Sequence, residues 1–204
     1  FGPESIEGFF DEAFSVPGLL HELERHKDWD GFVIACFDDT GLDAARCLVS
    51  GPVVGIGEAA FHMASLLAHK FSVITTLARS IPVIEQNLFK YGLDRRCAGV
   101  HASGIGVLEL EGNAIEAKKI ISEKILQARD GQGADAIVLG CAGMTGLAAE
   151  LSNECGIPVI DGVSAALELT SSLVKMKLKT GKLNGYSYPK QKKYTGRFSD
   201  FAPK

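Results

Sequence analysis

Two cysteines stand where an apolar run meets a turn: Cys36 in VIACFDDTGL (33–42) and Cys141 in VLGCAGMTGL (138–147). Each is followed by a segment that can begin a helix, and a helix N-terminus stabilises a thiolate. Lowering a thiol from about 8.5 toward 7 takes only about 2 kcal/mol. Thiols facing each other across a cleft suit one reaction type, in which one sulfur takes a proton from one face of a carbon and the other returns a proton to the opposite face. A single nucleophilic cysteine would want a histidine base, and His21, His26, His62, His69 and His101 bear no common relation to the two cysteines. Two other readings stay open. Cys36 and Cys141 could form a redox disulfide, which needs α-carbons within about 7 Å, or the protein could be a two-lobed clamp that binds a ligand without chemistry. Cys47, Cys97 and Cys155 read as small core hydrophobes.

The two cysteine segments belong to a repeat. Displaced by 105 positions, the interval from Cys36 to Cys141, the residues Asp30, Val33, Cys36, Thr40, Gly41, Leu42, Ala44, Gly51 and Ala60 fall on Asp135, Val138, Cys141, Thr145, Gly146, Leu147, Ala149, Gly156 and Ala165. Short β-branched runs alternate with helical periodicity, which predicts an α/β protein with mainly parallel sheets. Strands are expected at 31–35, 52–56, 71–75, 98–101, 136–140 and 157–160, and helices at 5–26, 40–49, 57–68, 80–91, 113–129, 144–154 and 162–177. The duplication predicts two pseudosymmetric α/β lobes, one from 1–69 plus 163–204 and the other from 70–162. Ligands collect outside the carboxyl ends of parallel strands, so the cleft between the lobes would hold both thiols.

The 204 residues carry a formal net charge of -4, which gives no broad basic field for nucleic acid or an anionic membrane. The tail mixes Lys190, Lys192, Lys193 and Arg197 with Tyr188, Tyr194, Phe198 and Phe201, read as an extended packing arm rather than a single-stranded nucleic-acid surface. No apolar run approaches the roughly 18 residues of a membrane span. Five cysteines at irregular spacings argue for free thiols in a reducing compartment. A soluble cytoplasmic protein with a small-molecule partner is expected. No C-x-x-C or H-E-x-x-H pattern suggests a metal, and no motif lysine or carboxylate cluster suggests a cofactor. The opening FGPESIEG is turn-like, so a segment upstream of Phe1 is expected to be missing.

The stretches GPESIEGFFDEA, GFVIACFDDTGL, GPVVGIGEAA, FSVITTLARS, IVLGCAGMTGL, GIPVIDGVSAA and KKYTG resemble the hydantoin and allantoin racemases of the aspartate/glutamate racemase superfamily, and they run almost from end to end. The resemblance implies a cofactor-independent two-base racemase with Cys36 and Cys141 as acid and base, a two-lobed pseudosymmetric fold and assembly into homo-oligomers. It also implies backbone N–H donors at Phe37, Ala142 and Gly143 for ring oxygens, further donors at Thr75 and Thr76, and Ser5 and Ile6 at the mouth. The competing roles are turn capping for Thr75 and Thr76 and a helix N-cap for Ser5. Two departures stand out: the family's opening strand and its Asn-Pro-Asn-Thr loop have no counterpart here, and Asp38 and Thr40 stand where many relatives carry glycine and proline. Phe37 and Met144 would make an uncharged pocket wall, and neither motif offers an arginine for an amino-acid carboxylate. That favours a neutral cyclic substrate, with allantoin ahead on overall likeness, over free aspartate or glutamate.

Overall fold

The computed structural model describes residues 2–112 and 114–203; Phe1 and Asn113, the expected first residue of a helix, lie outside the described residues. Strands β1 (Phe32–Ile34) and β2 (Val53–Gly55) form a two-stranded parallel sheet. Strands β3 (Phe71–Thr75), β4 (Cys97–Ala102), β5 (Ala136–Gly140) and β6 (Val159–Asp161) form a four-stranded parallel sheet in the order β4-β3-β5-β6. Around the sheets lie helices α1 (Phe9–Arg25), α2 (Leu42–Leu48), α3 (Ile56–Leu67), α4 (Ile81–Lys90), α5 (Glu109–Gly112), α6 (Ala114–Gln132), α7 (Ala148–Cys155) and α8 (Gly162–Lys175). Every residue of β3 and β5 is buried, which is why FSVIT and AIVLG carry so little polarity: a central parallel strand is covered on both faces.

Where elements depart from expectation, the backbone supplies the reason. Helix α1 starts at Phe9 rather than at 5, because Gly8 enters with φ 143 and the Glu7 N–H donates to the Asp11 carboxylate at 3.0 Å. Ser5 is therefore not its N-cap. Strand β6 begins at Val159, two residues late, since Pro158 has no N–H to offer. Helix α6 runs on to Gln132, past the expected end at 129, until Gly133 with φ 68 turns the chain. Residues 142–147, expected to begin a helix at 144, form a 3-10 turn before α7.

The duplication is visible in the hydrogen bonds. The Phe32 N–H donates to the Pro52 carbonyl at 2.9 Å, and the Ile137 N–H donates to the Pro158 carbonyl at 2.8 Å. Phe32 pairs Val53 whereas Ile137 pairs Val159, so the second copy has one extra residue between its two strands. The structural partners of Ala59 and Ala60 are thus Ala165 and Ala166, which corrects the ungapped match of Ala60 to Ala165; all four are buried. Helices α3 and α8 pack against each other, beginning with their first residues: a Cβ on Gly162 would lie 2.5 Å from the Ile56 carbonyl oxygen.

The two helices are capped differently. Asp161 caps α8 with its own carboxylate, accepting the Ser164 N–H at 2.8 Å. The matching position ahead of α3 is Gly55, and its cap comes from the β1–α2 loop instead. Asp39 reaches across to accept the N–H groups of Gly57 at 2.9 Å and Glu58 at 2.8 Å, and the Tyr91 O–H at 2.8 Å. A Cβ on Gly55 would lie 2.0 Å from Asp39 Oδ1. The backbone at 55 (φ -82, ψ 146) matches that at 161 (φ -94, ψ 142), so the same conformation serves a cap supplied from either place. Gly55→Ala is expected to cost about 2–4 kcal/mol through this clash and the lost cap. Asp39→Gly combined with Gly55→Asp is expected to recover at least half of that loss. Urea midpoints of the three proteins measure both effects, and a Gly55→Ala protein as stable as wild type would contradict this account of the loop.

Candidate active site

Cys36 follows β1 by one residue and Cys141 follows β5 directly, so each sulfur stands at the carboxyl end of a parallel strand, one from each sheet. Both line a single cavity of about 1030 Å³. Its inner wall is Ala35 to Asp38 after β1, Thr76 after β3 and Gly140 to Gly143 at the end of β5. Its outer wall comes from the segment 2–6, from α1 and from tail residues Arg197, Phe198, Asp200 and Phe201. Pro17, which breaks the N–H ladder inside α1, lies on that wall with Gly18 and His21.

The residue after each cysteine ties the loop to the core. Phe37 is buried and meets Phe61 of α3 edge-on at 5.4 Å, and Phe61 stacks on Phe71 of β3 at 6.0 Å. The second loop is held by Met144, whose side chain is fully buried. Met144 is thus a core residue rather than the expected pocket wall, because the 3-10 turn directs it inward between β5 and α7. The backbone N–H two residues beyond each cysteine points back at its sulfur, Asp38 for Cys36 and Gly143 for Cys141. These are equivalent positions of the repeat. A Cβ on Gly143 would sit 3.7 Å from Cys141 Sγ and 3.2 Å from Leu110, so no larger side chain fits beside that sulfur without moving Leu110.

The thiols do not behave as the helix-dipole argument expects. Burial pushes the Cys36 thiol up to about 11, with the nearby Asp38 carboxylate adding to the rise against hydrogen bonds from Thr40 and the loop N–H groups. Burial raises Cys141 as well, and the charges of Asp38 and Glu7 add to the rise against the Gly143 N–H. Helix α2 begins only at Leu42 and the second loop opens into a short 3-10 turn, so neither sulfur lies at the end of an α-helix where the dipole could outweigh desolvation. All five cysteines are free thiols.

Of the residues singled out in the sequence, Ser5, Ile6, Phe37, Thr76, Ala142 and Gly143 meet at this cavity with the two cysteines. Thr75 does not: it is 1% exposed, and its hydroxyl donates to the Gly140 carbonyl at 3.2 Å, cross-linking β3 to β5. Cys155 is buried, whereas Cys47 and Cys97 are only half-buried. Sequence reasoning missed Asp38 as a site group. It is 8% exposed, lines the cavity, and acts on both thiols. Burial, with the charges of Glu12 and Asp39, pushes its carboxyl up to about 7. Its place one step from Phe37 in a turn that begins at a strand end was the available signal. The tail's share in the cavity had no local signal, since Arg197 and Phe201 are over 150 residues from Cys36.

A family model described as Asp/Glu/Hydantoin racemase matches residues 1–170. A hydantoin racemase from Rhizobium meliloti is 46% identical over 196 residues, which span 95% of this chain and 81% of that one. Among solved structures, an allantoin racemase from Klebsiella pneumoniae is similar with a TM-score of 0.95 and 44% identity, covering 100% of this chain and 84% of its own. Another, from Pseudomonas fluorescens, has a TM-score of 0.93 at 38% identity, covering 96% of this chain and 84% of its own.

Because Asp38 opposes ionisation of both sulfurs, Asp38→Asn is expected to lower the titration of Cys36 and Cys141 together. Following thiolate absorbance at 240 nm against pH, with peptide-resolved alkylation to separate the two, reads this directly. A shift in one thiol alone, or in neither, would contradict a shared Asp38 field.

Proposed function

The chain belongs to the Asp/Glu/hydantoin racemase family and is an isomerase, and from that premise we propose that it interconverts the enantiomers of allantoin or related 5-substituted hydantoins. In this reading Cys36 and Cys141 are the two bases of a cofactor-independent 1,1-proton transfer. The observation that carries it is the shared cavity, with each sulfur at the carboxyl end of a strand from a different sheet. The names of the similar proteins support the substrate class.

The ring C–H of a hydantoin lies beside a carbonyl, so a thiolate on one face can remove the proton as charge moves to the carbonyl oxygen. The thiol on the other face then delivers a proton to the carbon, leaving the enzyme with the roles of its sulfurs exchanged. The developing enolate oxygen would be met by N–H groups of Phe37 and Ala142 and by Thr76, while the Gly143 N–H, expected to join them, is turned to the Cys141 sulfur. A sulfur whose proton is held tightly is a strong base once ionised, which suits a weak carbon acid, but little of it is ionised near neutrality. Asp38 at the inner wall would repel the carboxylate of a free amino acid when ionised and can donate a hydrogen bond when neutral, which favours an uncharged ring. Of the two arginines on the cavity, Arg25 of α1 is engaged by Glu22 at 3.0 Å and Arg197 belongs to the tail at the rim. The division into lobes at 1–69 with 163–204 and at 70–162, and assembly into homo-oligomers, belong to the same proposal; exposed Phe10 and Phe14, 4.9 Å apart on α1, offer an apolar face for the latter.

Cys36→Ser and Cys141→Ser are each expected to cut racemisation by about 10²–10⁴-fold without a change of fold. Loss of optical rotation from enantiopure allantoin and from a benzyl hydantoin is the assay, with circular dichroism as the control; wild-type rates in both variants would defeat the two-base reading. Since one thiolate must form against raised thiol pKa values, kcat/KM is expected to climb about tenfold per pH unit from 7 to 9. A flat profile over that range would mean the working base is not either sulfur.

A further inference from the structure

The two half-sites share the spacing Cys-x-x-x-Thr, but the structure uses the two threonines differently. Thr40 Oγ1 lies 3.2 Å from Cys36 Sγ and donates to Glu12 Oε1 of α1 at 3.3 Å. With its proton on Glu12, Thr40 accepts from the neutral thiol, and it can turn that proton to the sulfur once the thiol ionises. Its repeat partner Thr145 has a buried hydroxyl with no hydrogen-bond partner among the described residues. The cause lies one residue earlier. Asp39 has φ 52, held there by its bonds to the start of α3 and to Tyr91, and this left-handed step swings Thr40 back toward the sulfur. Met144, at the matching place, sits in a 3-10 turn that carries Thr145 away.

Thr40 is also a partition. Cys36 lines the main cavity, whereas Thr40 and Glu12 line a second one of about 390 Å³ on the far side of the loop. Exposed residues Phe9, Asp43, Ala44 and Lys90 form part of that second cavity's wall, so water reaches it without passing through the substrate site.

We propose that Thr40 and Glu12 form a proton relay that connects Cys36, but not Cys141, to solvent behind the active-site wall. The proposal rests on the racemase reading for its catalytic meaning. In the forward step the Cys36 S–H bond breaks and its proton bonds to Thr40 Oγ1, while the Thr40 O–H bond breaks and that proton bonds to Glu12. The electron pair stays on sulfur, and Glu12 then gives its proton to water in the second cavity. The reverse sequence reloads the thiol. Thr40 is the group in contact with the reacting sulfur; Glu12 takes up and releases the proton through Thr40 without touching the sulfur itself. Burial raises Glu12 and thereby narrows its gap from the thiol. The other charged groups on its cavity are Asp38, Asp39 and Asp43, with Lys90 held by Asp43 at 2.6 Å. Cys36 can thus exchange its proton while substrate is bound, whereas Cys141 exchanges through the main cavity, which the substrate fills.

The first test needs no substrate. Alkylation of Cys36 and Cys141 by iodoacetamide, resolved by peptide mass between pH 6 and 10, is compared in wild type, Thr40→Val, Thr40→Ser and Glu12→Gln. Thr40→Val is expected to slow Cys36 by about tenfold, the effect of one pKa unit, because it removes the hydroxyl that supports the thiolate. Thr40→Ser restores the rate. Glu12→Gln is expected to speed Cys36, since the Thr40 proton no longer committed to a carboxylate turns to the sulfur. Cys141 stays constant throughout and reports an intact fold. Equal changes at both cysteines, or the same direction in Thr40→Val and Glu12→Gln, overturn the relay.

The second test follows each pure enantiomer of allantoin in D₂O. One enantiomer is expected to gain deuterium in the unreacted pool as fast as it inverts, the other only in its product, and Thr40→Val abolishes the difference. Identical exchange for the two enantiomers in wild type overturns the proposal. Absence of inversion for any hydantoin instead overturns the substrate reading, while the alkylation result stands on its own.

Discussion

A single carboxylate outside the helices organises the first half of the molecule. Asp39 accepts three hydrogen bonds, two from the opening turn of α3 and one from Tyr91 at the end of α4. Such bonds to an ionised group are stronger than ordinary ones, yet burial pushes the carboxyl up to about 7, so the group is held at the margin of ionisation. Its left-handed backbone sets the path of the whole β1–α2 loop. Phe37 is thereby fixed on Phe61, Cys36 faces the cavity, and the Thr40 hydroxyl returns to the sulfur. The absence of a side chain at Gly55 is the other half of the same arrangement, since that space is where the carboxylate lies.

The duplication and its breakdown come from the same contacts. Paired carbonyls at Pro52 and Pro158, the contact of Ile56 with Gly162, and the N–H two residues beyond each cysteine keep the halves alike where the sulfurs must be placed. Where one half caps its helix with its own residue and the other with a neighbouring loop, the symmetry ends. In the proposed two-base racemisation a sulfur is needed on each face of one carbon, but the two need not exchange protons with water by the same route.

Strands β3 and β5 were legible to the residue because a fully covered parallel strand is an unbroken apolar run bounded by turns. The repeat was legible because identical residues sit at the strand ends, and the single extra residue was not, since an ungapped comparison still aligns one of the two alanines. The cavity's inner wall followed from placing both cysteines at strand ends. Its outer wall did not: α1 and the tail reach it through tertiary packing that leaves no local pattern in the sequence. The ionisation of the thiols was misjudged for a related reason. Proximity to a coming helix is written in the sequence, but the burial that overrides it is a property of the assembled fold.

The cavity draws its floor and its rim from different kinds of chain. Cys36, Cys141 and their flanking residues are locked into packed strands and into an aromatic ladder, where a change of shape propagates through the interior. The rim at 2–6 and 197–201 is irregular or short 3-10 backbone with largely exposed side chains. If the proposed racemase reading holds, reaction and selectivity are separable traits in this architecture: altered rims would retune which ring substituent is admitted while the floor that carries the two sulfurs stays as it is, a starting point for breeding stereochemical catalysts against new compounds.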